Sequence, residues 1–242
     1  MRHWLFHILL LISTLSFAQQ VDLSVPEEIL NEMETVKVKV NDSTTYTFSV
    51  IQPKAFIDTT RVPVVLCLSG GNQSEEIVNY CYAAWFRTDM FNYAIKIIPH
   101  QLNGKNLRDL DSAEIVEMTT TIQKEFNTYT SDWIVLGTSN GGVGAFRFVQ
   151  TQPELYSGMV VMPGAVLDIP IDKKWGHLNV LLAVGTEDNN FWHKETLKTE
   201  KRLKPFVNDV KTFEMKGIPH IVPLDYKIDV VYQAYHNLET NN

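Results

Sequence analysis

Residues 137–141 read Gly-Thr-Ser-Asn-Gly, with an apolar run at 133–136 leading in and a helix-compatible stretch at 143–150 leading out. A serine held this way sits on a sharp, strained turn between a strand and a helix, its hydroxyl lifted above the sheet. Small flanking residues let the two backbones approach closely. The chemistry this permits is nucleophilic attack by Ser139, with a covalent intermediate that splits one hard step into two easier ones. A serine hydroxyl is a weak nucleophile alone. It needs a base to take its proton and backbone donors to hold the negative charge that develops. The N–H groups at the start of the following helix are one source of such donors. Phosphate-binding readings of the same glycines fail. There is no Gly-x-x-x-x-Gly-Lys-Ser/Thr, and Gly-x-Gly-x-x-Gly does not fit Gly137 to Gly142.

The elements that must position this serine are legible around it. Val36, Val38 and Val40 alternate with polar residues, as do Tyr46, Phe48 and Val50 after the turn Asn41-Asp42-Ser43. That period-2 pattern predicts a hairpin. Apolar runs of strand length follow at 62–68, 94–98, 133–136, 158–162 and 178–184, with a last candidate at 210–215. Continuous apolar runs predict strands buried on both faces, as in a parallel sheet. Helical spacing joins Ile77, Cys81, Ala84 and Trp85, and then Ile115, Met118, Ile122 and Phe126. Further helices are expected at roughly 141–151 and 195–208, and an amphipathic one carries Ile228, Val231, Tyr232, Tyr235 and Leu238. Strand and helix alternate, which predicts a three-layer α/β fold with a mostly parallel sheet and an antiparallel N-terminal hairpin.

Composition narrows the classes. The 242 residues are 45% hydrophobic and 20% charged, as in ordinary soluble domains. Net charge is −7 with no basic run, so no nucleic-acid partner is expected. Cys67 and Cys81 are too few for a disulfide scaffold or a cysteine zinc site. Both read as buried thiols, with a disulfide as the alternative. Residues 1–18 read as a secretory signal, with Arg2, an apolar stretch and Ser16-Phe17-Ala18 before the cut. The apolar stretch is shorter than the ~20 residues of a spanning helix, so no stable membrane insertion is expected after cleavage. The expected organisation is a signal over 1–18 and one catalytic domain over 19–242, exported to the periplasm or beyond. Asn72-Gln73-Ser74 is a glycosylation sequon that would block the site if used, so a bacterial host fits better.

Gly137-Thr138-Ser139-Asn140-Gly141 between strand and helix resembles the nucleophile elbow of α/β-hydrolases. The order of elements from about Val36 onward is similar to that superfamily, and the chain is nearest to small secreted esterases of the feruloyl-esterase and polyester-depolymerase-like kind. The resemblance implies the chain order serine, acid, histidine. Asp188, in Val184-Gly185-Thr186-Glu187-Asp188 after the 178–184 strand, matches the position of the acid, with Glu187 as local rival. Asp168 and Asp172 sit one strand earlier, where some relatives place it. His220, in Gly217-Ile218-Pro219-His220 after the last strand, is the base that remains when His100, His177, His193 and His236 are set aside by position. The resemblance also implies an oxyanion hole from the N–H of Asn140 and from the loop Ser69-Gly70-Gly71-Asn72-Gln73. Gly71 is the expected donor there and Asn72 the next. Ser69 departs from the histidine that relatives often carry.

The implied activity is a serine hydrolase cleaving carboxylic esters, without metal or organic cofactor. Its substrate is a small-molecule ester or an ester-bearing polymer. Phe191 and Trp192, after the acid, are expected to line the substrate pocket, while Trp85 reads as core. The connection at 167–177 leaves no room for a large lid. The alternatives are a peptidase or acyltransferase of the same fold, and an inactive binding protein on the same scaffold.

Overall fold

The computed structural model describes residues 22–54 and 61–240. The expected signal at 1–18 lies outside them. Elements run in the order α1 (Glu27–Leu30), β1 (Glu34–Lys39), β2 (Thr45–Ile51), β3 (Val64–Leu68), α2 (Glu75–Cys81), β4 (Ile95–Pro99), α3 (Ser112–Glu125), β5 (Trp133–Gly137), α4 (Asn140–Thr151), β6 (Tyr156–Val161), β7 (Asn179–Gly185), α5 (Asn190–Leu203), β8 (Asp209–Met215) and α6 (Asp229–Thr240).

The strands form one twisted sheet in the order β1-β2-β4-β3-β5-β6-β7-β8. The β1–β2 and β2–β4 pairs are antiparallel and the remaining pairs are parallel. The expected hairpin and mostly parallel sheet are both present. Burial explains the continuous apolar runs. In β3, Val64, Leu66 and Leu68 face one core cluster while Val65 and Cys67 face the other. The same division holds in β5, where Trp133 and Val135 oppose Ile134 and Leu136. Core residues of α3 and α4 pack on the first face, and those of α2 and α6 on the second. Cys67 and Cys81 are buried free thiols.

Three local departures from the expected elements have plain causes. β3 begins at Val64 because Pro63 has no N–H for the ladder. Val62 makes only an isolated bridge to Thr128. The helix carrying Ile77 and Cys81 turns π-helical over Tyr82–Phe86, which rotates Ala84 and Trp85 relative to an ideal helix face. α5 starts at Asn190, five residues before the expected 195, because the Asn189 side chain accepts from Phe191 N and Trp192 N. That N-cap draws both aromatics into the first helical turn.

Candidate active site

Ser139 ends the β5 turn with φ 54° and ψ −119°, left-handed backbone that costs a non-glycine residue on the order of 1–3 kcal/mol. Surrounding bonds hold it there. Ser139 N donates to Pro163 O at 2.7 Å, Thr138 N to Leu68 O at 3.1 Å, and Gly141 N to Thr138 O at 2.8 Å. Gly141 is dictated by crowding, since a Cβ built on it would lie 1.9 Å from Leu68 O.

His220 Nε2 lies 3.1 Å from Ser139 Oγ, and its Nδ1 lies 3.0 and 3.1 Å from the two Asp188 carboxylate oxygens. A carboxylate facing Nδ1 requires the N–H on that nitrogen. The Nε2 lone pair is then free to accept from the Ser139 hydroxyl. The Asp188 side chain is wholly buried, and Asn189 N donates to its Oδ1 at 2.6 Å. Trp192 stacks on the His220 ring with centroids 5.7 Å apart and planes 14° apart. The acid and base loops are zipped together by Thr186 N to Met215 O, Glu187 N to Ile218 O, and Gly217 N to Thr186 Oγ1. Tyr80 Oη ties the residues after His220 to α2 through Val222 O at 2.7 Å.

The rival residues lie elsewhere. Glu187 and Asp168 are exposed, and Asp172 caps the short turn before Trp175 through Lys174 N. His100 meets Ser49, His177 meets the carbonyls of Pro153 and Tyr156, and His193 meets Glu214. His236 is exposed on α6.

The loop 69–73 packs against the serine. A Cβ on Gly70 would come 3.1 Å from Ser139 Cβ. Gly71 adopts φ +54°, which favours glycine. One side chain organises this loop, and its role is not evident from sequence. The buried Gln73 amide donates to the carbonyls of Ser69, Gly70 and Gly71 at 2.9 Å each, and its Oε1 accepts Leu107 N at 3.1 Å. A trans peptide points its N–H opposite to its C=O. Turning the Gly70 and Gly71 carbonyls toward Gln73 therefore turns the N–H groups of Gly71 and Asn72 away from it. The Asn140 side chain adds a second tie, donating to Gly71 O at 3.0 Å while accepting from Arg108 at 2.7 Å. Among the described residues, the N–H groups of Gly71, Asn72 and Asn140 have no acceptor.

A cavity of about 210 Å³ opens beside Ser139 and His220. Gly70, Gly71 and Thr138 line its near side, and Leu23, Ile77, Tyr80, Cys81, Trp85 and Ile221 supply the remaining wall. Burial pushes the Cys81 thiol up to about 11, so it lines the wall as a neutral group. Phe191 and Trp192, expected to line the substrate pocket, are not among the residues around this cavity. The Asn189 cap places them in α5, where Phe191 is 53% exposed and Trp192 covers the imidazole. Trp85, expected as core, is buried and also forms part of the cavity wall. Asn72 is exposed and does not line the cavity. Its side chain accepts Ser74 N at 3.0 Å, ahead of α2.

No protein-family profile matches the chain, and no curated protein matches it in sequence. Solved structures do match in fold. A thermostable esterase superposes with a TM-score of 0.64 at 15% identity, covering 88% of this chain and 64% of that one. An S-formylglutathione hydrolase from Agrobacterium tumefaciens gives 0.62 at 14% identity, covering 86% and 94%. Dipeptidyl peptidase 4 from Porphyromonas gingivalis gives 0.60 at 12% identity, covering 86% of this chain and 35% of that one. The chain has the α/β-hydrolase fold. Among the described residues, no helix is long and apolar enough to cross a membrane.

Proposed function

We propose that this chain is a serine hydrolase that cleaves carboxylic esters through an acyl-enzyme on Ser139. The observation that carries the reading is the continuous array from Ser139 Oγ to His220 Nε2, and from His220 Nδ1 to the buried Asp188 carboxylate. As Ser139 Oγ attacks the ester carbonyl, His220 takes its proton and Asp188 stabilises the imidazolium. The N–H groups of Gly71 and Asn140 receive the oxyanion, with that of Asn72 as the next donor. His220 then protonates the departing alcohol. Water, deprotonated by the same nitrogen, attacks the acyl-enzyme and releases the carboxylic acid and Ser139.

The cavity supports small substrates. Its 210 Å³ falls below the ~300–1,000 Å³ of pockets for drug-sized ligands, and its wall is mostly apolar. Short acyl or aryl esters fit that description. The fold is shared with esterases and with a peptidase, so the bond cleaved must be tested directly. Steady-state rates on p-nitrophenyl acetate and butanoate are expected to exceed those on aminoacyl p-nitroanilides by at least ~10²-fold. Faster amide cleavage would reject the ester assignment. The same proposal includes a single domain over 19–242, exported after loss of residues 1–18. N-terminal sequencing of the exported protein is expected to begin at Gln19, and an intact Met1 would oppose it.

Gln73 supplies a prediction specific to this loop. Gln73→Leu keeps the bulk but leaves Ser69 O without its donor and Leu107 N without its acceptor, at about 1–3 kcal/mol for each orphaned group, while Gly70 O and Gly71 O keep only Gln73 N and the Asn140 side chain. It also frees the peptide planes that aim the Gly71 N–H. The expected result is a lower melting temperature and about 10²-fold lower kcat, the scale of losing one oxyanion donor. Thermal unfolding and ester kinetics on the same preparation check both effects. Unchanged kcat would remove Gln73 from the account.

A further inference from the structure

The cavity beside Ser139 shares a lining residue, Leu23, with a second, more open one. The second holds about 570 Å³ and is lined by Asp22, Leu23, Ser24, Val25, Leu30, Glu75, Glu76 and Asn79. Among the described residues, Leu23 alone lines both cavities. With Ile77 and Trp85 it lines the serine cavity, and with Val25 and Leu30 it lines the groove.

Leu23 is held there. Leu23, Val25, Ile29 and Met33 pack against the same core cluster as Trp85 and Cys81. The segment is fastened at its far end by Glu32, which accepts from Tyr82 Oη at 2.6 Å and from Arg87 Nη2 at 2.7 Å. At its near end, Ser24 N donates to Asp22 Oδ1 at 2.9 Å, closing a local turn. The segment is thus docked on the π-helical turn whose Trp85 lines the serine cavity.

We infer that Leu23 is a specificity-determining residue that ends the acyl pocket and sets the longest acyl chain Ser139 accepts. This rests on the ester-hydrolase reading. An acyl chain leaving Ser139 has about 210 Å³ of largely apolar space before it meets Leu23. Trimming that side chain joins the space to the groove beyond, whose Leu30 and Val25 offer further apolar surface. Each added methylene that finds such surface is favoured by about 0.8 kcal/mol, close to fourfold in affinity. The groove also carries Asp22, Glu75 and Glu76, so the extended site favours uncharged chains over those ending in a carboxylate.

The test separates binding from turnover. Ser139→Ala and Ser139→Ala/Leu23→Ala proteins are titrated calorimetrically with p-nitrophenyl esters from acetate to decanoate, which neither is expected to hydrolyse. The Leu23-containing protein is expected to bind butanoate best and decanoate at least tenfold more weakly. The double variant is expected to bind decanoate at least tenfold more tightly than its parent. Ser139→Ala/Leu23→Phe moves the limit the other way, favouring acetate over butanoate. Identical length profiles in all three proteins would overturn the role of Leu23. Absence of ester turnover by the wild-type chain would reject the hydrolase reading separately, since the binding profiles do not depend on chemistry.

Discussion

Ser139→Ala folds as the parent does and loses ester turnover by about 10⁴- to 10⁶-fold, the range seen when the nucleophile of a serine hydrolase is removed. Two features make this a clean substitution. The Ser139 hydroxyl bonds to His220 and to no other described residue, so its loss orphans one imidazole nitrogen that is only half-buried. The backbone at φ 54° is held by the Ser139 N–H to Pro163 and by its neighbours, and alanine keeps that N–H. Melting temperature and circular dichroism should stay at parental values while kcat collapses. A small residual rate is expected, because the Gly71 and Asn140 donors and the cavity survive. A loss of less than tenfold would show that Ser139 is not the attacking group.

Asp188→Asn lowers kcat by about 10⁴-fold with KM little changed. The amide has nearly the size of the carboxylate and can still accept the Asn189 N–H through its oxygen. Its nitrogen, however, can offer an N–H to His220 Nδ1 and so favour the tautomer that places a proton on Nε2, facing Ser139. That tautomer cannot accept the hydroxyl proton. The buried negative charge that stabilises the imidazolium is also gone. A kcat effect without a KM effect distinguishes this from a damaged pocket, since Asp188 does not line the cavity. Glu187→Gln serves as the control. Glu187 is exposed, so its substitution should change kcat by less than about twofold, within the small effects usual for surface sites. The reverse pattern would transfer the acid role to Glu187.

The sequence was informative where the physics is local. The nucleophile turn is legible because strand, Gly-x-Ser-x-Gly and helix are contiguous, and the crowding at Gly141 makes its glycine obligatory. The parallel strands are legible because burial on both faces writes continuous apolar runs. Asp188 and His220 are a different matter. They lie 32 residues apart, and His220 lies 81 from Ser139, so no local pattern joins them. Their selection came from the order of elements and the resemblance it carries.

What stayed hidden depends on contacts that no spacing encodes. Gln73 reads as one more polar residue in a turn, and only its three carbonyl partners reveal its task. Asn189 as an N-cap was available as a signal, since asparagine ahead of a helix is a start marker. It places Phe191 and Trp192 in the first turn of α5 rather than in the loop after the acid. Leu23 had no signal at all. It precedes the first periodic segment, and its place beside the serine arises from docking on a helix some fifty residues later in the chain.

The central claim is that the Ser139 hydroxyl is activated by His220 and Asp188 to attack an electrophilic centre. The most direct measurement is reaction of the folded protein with a fluorophosphonate, followed by mass spectrometry of the digested chain. The expected result is one adduct per chain, on the peptide containing Ser139, absent in Ser139→Ala and slowed by at least ~10³-fold in Asp188→Asn. Folded wild-type protein that forms no adduct, or forms it on another residue, would contradict the account.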